Sequence, residues 1–383
     1  MRALSRCDPA DIARVAAVSL LFHASLAEDG IRLWARERGF ELPAQPEGEG
    51  CAVRWLCYSA LTCEANPLAR AAAGAEHSLF IVGEGRLSSC GAAEHIAGLL
   101  GHGEEVTRLN TPTRLTSTLG GERAVSVTVG NNHSLALAAD GAVWSWGYGG
   151  LGRLGHGDEE QQLQPKKVEA LAGQRVVAVS AGQYHSLALT ADGAVWSWGF
   201  GNTGRLGHGD QQYQLLPKKV EALAHQRVVA VSAADHHSLA IAADGSVWSW
   251  GGGAGGKLGH GDEQRQLLPK KVEALAGKRV LAVAAGWSHS LAITADGAVW
   301  SWGAGGNGRL GHGDQQEQLL PKKVEALAGQ RVVAVSAGYD HSIAATADGA
   351  VFAWGEGDDG SLGHGEDVSH QLLPKKIEVW SRD

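Results

Sequence analysis

A histidine followed directly by a serine recurs along the chain. His133-Ser134, His185-Ser186, His237-Ser238, His289-Ser290 and His341-Ser342 stand 52 residues apart, and a looser copy sits at His77-Ser78. A base beside a hydroxyl is the raw material of nucleophilic catalysis, and histidines recurring with aspartates, as in the Gly-His-Gly-Asp of residues 207–210, are the raw material of a metal site. The repetition argues against both. An active site is singular and needs a third group to orient its base. Ligands one repeat apart are too dispersed to share an ion, and one such loop offers too few for a closed site. The glycine-rich loop also lacks the Gly-Lys-Ser/Thr ending of a phosphate cradle. The sequence therefore predicts no catalytic residue, no metal and no cofactor: a non-enzymatic protein whose repeated residues build a scaffold.

The elements that must carry these pairs follow from one period. Residues 175–182 (RVVAVSAG) and 186–192 (SLALTAD) alternate as strands do, and Asp192-Gly193 is a hairpin signal because glycine tolerates positive φ. A third strand, AVWSWG, places Trp196 and Trp198 on one face and Ser197 on the other. The loop FGNTGRLGHGD leads to a fourth piece, LLPKKVEAL, whose Pro217 has no N–H for a ladder and so belongs at a sheet edge. The small-residue strand suits a crowded centre and the proline strand a rim. Four strands per unit, repeated radially, predict an all-β propeller whose paired tryptophans (Trp144/Trp146, Trp196/Trp198, Trp248/Trp250, Trp300/Trp302) pack between blades.

Composition narrows the partners. The formal net charge is −8, which removes the electrostatic basis for nonspecific nucleic-acid binding. The five cysteines (Cys7, Cys51, Cys57, Cys63, Cys90) show no Cys-x-x-Cys spacing, favouring a reducing compartment, cytoplasm or nucleus. No stretch is long enough to span a bilayer, and the start reads as an amphipathic helix rather than a signal peptide. The lysine pairs after each proline, Lys218-Lys219 for example, guard exposed edge strands with positive charge.

Positions that match in every copy serve the blade, whereas positions that differ are free of that duty. Two stretches differ most: the pair before each histidine and the residues after each Trp-Gly. In an antiparallel blade both loops emerge on the same side, so they crown one face of the disc, while the near-constant ADGA and ALAGQR turns tile the other. Variable loops on a constant scaffold are how binding surfaces are built. The predicted partner-binding face comprises Tyr148, Tyr184, Phe200, Asp235, His236, Trp287, Tyr339 and Asp340, with the aromatics as anchors.

The stretch SAGQYHSLALTADGAVWSWGFGNTGRLGHGD resembles the repeat of the regulator of chromosome condensation family, and the resemblance covers residues 67–383. It implies a β-propeller of four-stranded blades, usually seven in that family, whereas six His-Ser pairs and six Leu-Gly-His-Gly motifs are present here. The first copy carries Ser88 and Cys90 in place of tryptophans. Upstream, residues 1–66 resemble a truncated F-box with a linker, a small α-helical module. Asp8-Pro9 and Asp11 open a helix, and Val15, Val18, Leu21 and Phe22 form its apolar face, followed by Leu33-Trp34. The resemblance implies that Val15, Val18, Leu21, Phe22 and Trp34 bind a Skp-type adaptor, although the usual opening Leu-Pro pair is missing.

Three functions are ranked on these grounds. The first is a protein-interaction propeller that serves as substrate-recognition subunit of a cullin-type ubiquitin ligase. The second, from the resemblance, is a guanine-nucleotide exchange factor or regulator of a Ran-like small GTPase, against which the strict 52-residue spacing leaves no room for an inserted hairpin. The third is a UV-B photoreceptor. Its Gly-Trp-x-His motif occurs once, at residues 286–289, while Gln183, Asp235 and Tyr339 hold the equivalent places.

Overall fold

The computed structural model describes residues 71–377, apart from 75, 94, 95, 118 and 366–369. Six four-stranded antiparallel sheets follow one another in the sequence, each in simple up-and-down order. In the third blade the strands are Val176–Ala181, His185–Thr190, Val195–Gly199 and Gln214–Lys219. Inner strands of successive blades touch one another, so the small side chains of VVAVSA do sit at the crowded centre. The Asp192-Gly193 hairpin forms as the sequence requires. Gly193 takes φ +89°, and Asp192 Oδ1 accepts from the Ala194 N–H.

The proline strand lies outermost, with a register break opposite residues 197–199. It is shorter than the sequence implies. After Lys219 the chain turns into a single 3-10 turn, Glu221–Leu223, because Leu223 must reach inward to the seam with the fourth blade. The helical module expected over residues 1–66, with Val15, Val18, Leu21, Phe22 and Trp34, lies outside the described residues.

The core consists of seams between blades. Trp196 and Trp198 share a face and both pack on the second blade, where fully buried Trp198 meets Leu135, Leu137 and Val143. The opposite face of the same sheet sends Leu187 and Leu189 against Trp250 of the fourth blade. Each of the five seams from the first blade to the sixth is thus tryptophan and alanine from one blade against aliphatic residues, mainly leucine, isoleucine and valine, from the one before. An indole that buries about 200 Å² contributes roughly 5 kcal/mol of transfer free energy.

The His-Ser pairs lock these seams. His77, His133, His185, His237 and His289 lie 2.8–2.9 Å through Nε2 from Oγ of Ser134, Ser186, Ser238, Ser290 and Ser342, each in the next blade. The last four of these serines donate their single proton to the carbonyls of Arg153, Arg205, Lys257 and Arg309. The imidazole must then be the donor, from Nε2–H, and the serine oxygen the acceptor. A histidine that donates to its serine cannot deprotonate it, so these pairs are not base and nucleophile. Among the described residues the series stops at the last seam, where no side-chain hydrogen bond joins His341 to Ser78.

Replacing Ser238 with alanine strands a buried His185 N–H. The expected loss is about 1–3 kcal/mol, read as a lower denaturant midpoint with an unchanged slope. A loss below a few tenths would show that the latch contributes nothing net.

Candidate functional site

The two variable loops of each blade are tied to each other on one face. The residue after each Trp-Gly donates its N–H to the carbonyl of the residue before each histidine: Tyr148 to Asn132, Phe200 to Tyr184, Gly252 to His236, Ala304 to Ser288 and Glu356 to Asp340. The glycine between them is forced. Gly199 has φ +106°, and a Cβ there would lie 2.6 Å from the Tyr184 carbonyl oxygen. The geometry puts all eight predicted residues on this crown, seven of them in two groups and Asp340 beside Arg309.

The first group surrounds the mouth of the central shaft, a cavity of about 290 Å³ lined by the inner strands of all six blades. Its rim carries the first member of each variable pair: Asn131, Gln183, Asp235, Trp287 and Tyr339. The Asp235 carboxylate collects donors from three sides. Trp287 Nε1 lies 2.6 Å and His236 Nε2 3.0 Å from Oδ2, and the Gln183 amide nitrogen, assigned toward it, lies 2.8 Å away. The Trp287 and Tyr339 rings meet at 5.6 Å, tilted 40° to each other, with 39 % and 38 % of their surfaces exposed. The Tyr339 hydroxyl accepts from Asn131 Nδ2 at 2.6 Å, and burial raises its pKa.

The second group is a ladder of rings and guanidinium groups over the second and third blades. Arg153 lies 4.9 Å from the Tyr148 centroid and 5.3 Å from that of Tyr184. Arg205 lies 5.5 Å from Tyr184 and 4.8 Å from Phe200, whose edge meets Tyr213 at 5.1 Å. Tyr148 and Tyr213 keep over two-fifths of their surface in solvent. Burial pulls both arginines down to about 10.

The sequence reading missed these cations. The position before Leu-Gly-His-Gly holds Arg153, Arg205, Lys257 and Arg309, and all four are buried. The arginines clamp two loops at once. Arg153 donates from Nε to Gly150 O and from Nη1 to Gln183 O, and Arg205 binds Asn202 O and Asp235 O in the same way. Arg309 binds Gly306 O and pairs with Asp340 at 2.5 Å. Their recurrence was visible, but an arginine in a glycine-rich loop looks like a solvated charge until the neighbouring blade closes over it.

The same loops hold Leu151, Thr203 and Asn307 at φ near +60°, where glycine would be relaxed; Gly255 takes that place in the fourth blade. Strain of this kind is kept where the surroundings over-determine it. The His and Asp of each Gly-His-Gly-Asp have local duties instead. His208 Nε2 lies 2.9 Å from Ser197 Oγ, and Asp210 Oδ1 accepts from Gln212 N–H. Among the described residues no group of three or more His, Cys, Asp or Glu side chains could hold a metal ion.

A sequence profile described as "RCC1-like domain" matches residues 63–382. The chain belongs to the RCC1-like domain family. Within it, the ultraviolet-B receptor UVR8 of Arabidopsis thaliana is 38 % identical over 80 % of this chain and 68 % of the receptor. The human E3 ubiquitin-protein ligase HERC2 is 42 % identical over 76 % of this chain, but that stretch is 6 % of HERC2. Prp20p of Saccharomyces cerevisiae, a structure described with its binding to Gsp1p and histones, superimposes with a TM-score of 0.71 at 25 % identity, covering 80 % of this chain and 76 % of Prp20p. This RCC1-like domain departs from its own repeat in the crown residues, while the tryptophan seams and His-Ser latches recur from the first blade through to the sixth.

Proposed function

We propose that the protein is a non-catalytic docking propeller of the cytoplasm or nucleus that captures a protein partner on its crown and presents it, through an F-box-like N-terminus, to a cullin-type ubiquitin ligase. The observation that carries the docking reading is the Trp287, Asp235 and Tyr339 cluster. It is built from residues that no other blade repeats, and it offers two rings, about two-fifths exposed, around a fixed carboxylate. Rigid aromatic anchors beside satisfied polar groups are the make-up of interface hot spots. The ligase reading rests on the apolar spacing of Val15, Val18, Leu21 and Phe22.

The test pairs two full-length variants. Leu21→Asp with Phe22→Asp should abolish binding to a Skp adaptor from the same cell, with partner capture retained. Trp287→Ala with Asp340→Arg should do the reverse. An unmodified chain that ignores the adaptor sinks the ligase role, and a crown variant that keeps every partner sinks the docking face.

A second reading, regulation of a Ran-like GTPase, is favoured by the likeness to Prp20p, a protein described as binding Gsp1p. Stimulated nucleotide release from such a GTPase, lost in the crown variant, would establish it. Photoreception ranks below both, since Gln183, Asp235 and Tyr339 stand at the places equivalent to Trp287.

A further inference from the structure

Each crown arginine meets the second member of the next blade's variable pair. Arg153 lies against the Tyr184 ring, Arg205 Nη2 lies 3.1 Å from His236 Nδ1, and Arg309 pairs with Asp340. Lys257 breaks the series three times. Its counterpart in the next blade is Ser288, which makes no bond to it. The ring that covers Arg153 and Arg205, Tyr148 or Phe200, is replaced by Gly252. A lysine also has one nitrogen and cannot span the two carbonyls an arginine clamps. Lys257 is only 4 % exposed, yet among the described residues its ammonium has neither a hydrogen-bond nor an ion-pair partner.

A buried cation without a counter-charge is costly, and such groups are normally paired. Here burial lowers the lysine pKa, and the nearby charges of Asp235 and Glu263 offset that only in part. The neighbourhood does not supply what is missing. Four buried cations (Arg153, Arg205, Lys257, Arg309) share the crown with three carboxylates that already have partners, Asp235 with Trp287 and His236, Asp340 with Arg309 and Glu356 with Asn307, while Glu263 acts on Lys257 through space without forming an ion pair. The loop beside Lys257, Gly-Gly-Gly-Ala-Gly-Gly at 251–256, carries no side chain larger than a methyl to close over the ammonium.

We infer that Lys257 is the anion-recognition group of this face: its ammonium receives an aspartate or glutamate carboxylate from an acidic segment of the docking partner, beside the exposed ring of Trp287. This rests on the docking reading above and names the chemistry of its partner. The pairing supplies the counter-charge that Tyr184, His236 and Asp340 moderate or supply for the other three cations. It is also a charge-assisted hydrogen bond made only on docking, so it selects acidic partners over neutral ones.

The test uses the full-length chain and a capped hexaglutamate peptide, titrated calorimetrically at low salt. Lys257→Met should weaken binding at least tenfold. Lys257→Arg should weaken it as well, because the guanidinium can adopt the two-carbonyl clamp seen at Arg205 and so close the site, with a melting temperature equal to or above that of the unmodified protein. Three results would overturn the inference: no binding by the unmodified chain, binding by both variants as tight as that of the unmodified chain, or binding of inorganic phosphate in place of the peptide. The same titration on Trp287→Ala separates the two proposals. Unchanged peptide binding there, with partner capture lost, leaves the docking face intact and removes Lys257 from it, whereas weakened peptide binding supports the shared site.

Discussion

Acidification from about pH 7.5 to about pH 5.5 is expected to unfold the propeller cooperatively. In the unfolded chain the six His-Ser histidines titrate near 6.5. In the fold, burial pulls His77 and His289 down to about 3, His341 to about 4, and His133, His185 and His237 well below the ordinary value. The cause is visible in the latch. Nε2 already donates to serine, and among the described residues Nδ1 of the first five has no partner, so a second proton would add a buried charge with nothing to accept it. Because the folded pKa lies below the unfolded one, the contribution is fully present above pH 6.5. It is lost as the pH falls toward the folded values, where the unfolded state alone takes up protons. One unit below 6.5 each histidine contributes about 1.4 kcal/mol of this loss, and the six together about 8 kcal/mol, comparable with the whole stability of a typical domain. The six protons by themselves bring the formal charge of −8 closer to zero, so they add no net repulsion. Thermal melts across this range, with proton uptake measured on acid unfolding, check it. A stability that is flat down to pH 5, or an uptake near zero, would refute the latch account.

Trp302→Ala should be the most damaging of the tryptophan substitutions in its blade, lowering stability by about 3–5 kcal/mol. Trp302 is fully buried in the seam between the fourth and fifth blades, against Leu239, Ile241 and Val247, and its Nε1 donates to the Lys257 carbonyl at 2.9 Å. Its neighbour two residues back is the control. Trp300 faces the same seam but is partly exposed, finds no hydrogen-bond partner for Nε1, and carries Lys278 Nζ 4.4 Å above its ring. Trp300→Ala should therefore cost well under half as much. Parallel denaturant unfolding of the two variants decides the point; equal losses would mean that the seam does not distinguish its inner from its outer indole.

Much of this architecture was legible from residue spacing. The 52-residue period, the alternation in each strand, the paired tryptophans and Pro217 fixed the blade, its strand order and the face on which the variable loops emerge. The limits were local. Residues 220–223 read as part of a strand because Val, Ala and Leu are apolar, and only the distance Leu223 must cover to reach the seam makes them a turn.

For the candidate site, the sequence by itself determined which residues are free to differ, and hence that Trp287, Asp235 and Tyr339 belong to a surface rather than to the scaffold. Only the tertiary structure decided what they do to one another. Contacts such as Trp287 with Asp235, or Asn131 with Tyr339, join residues 52 and 208 positions apart, and no local pattern encodes them. The same is true of the cations. That Arg205 is satisfied and Lys257 is not depends on which side chain the next blade presents across the seam, His236 in one case and Ser288 in the other. Periodicity reports the backbone that repeats; charge balance depends on neighbours that meet only when the blades close around the shaft.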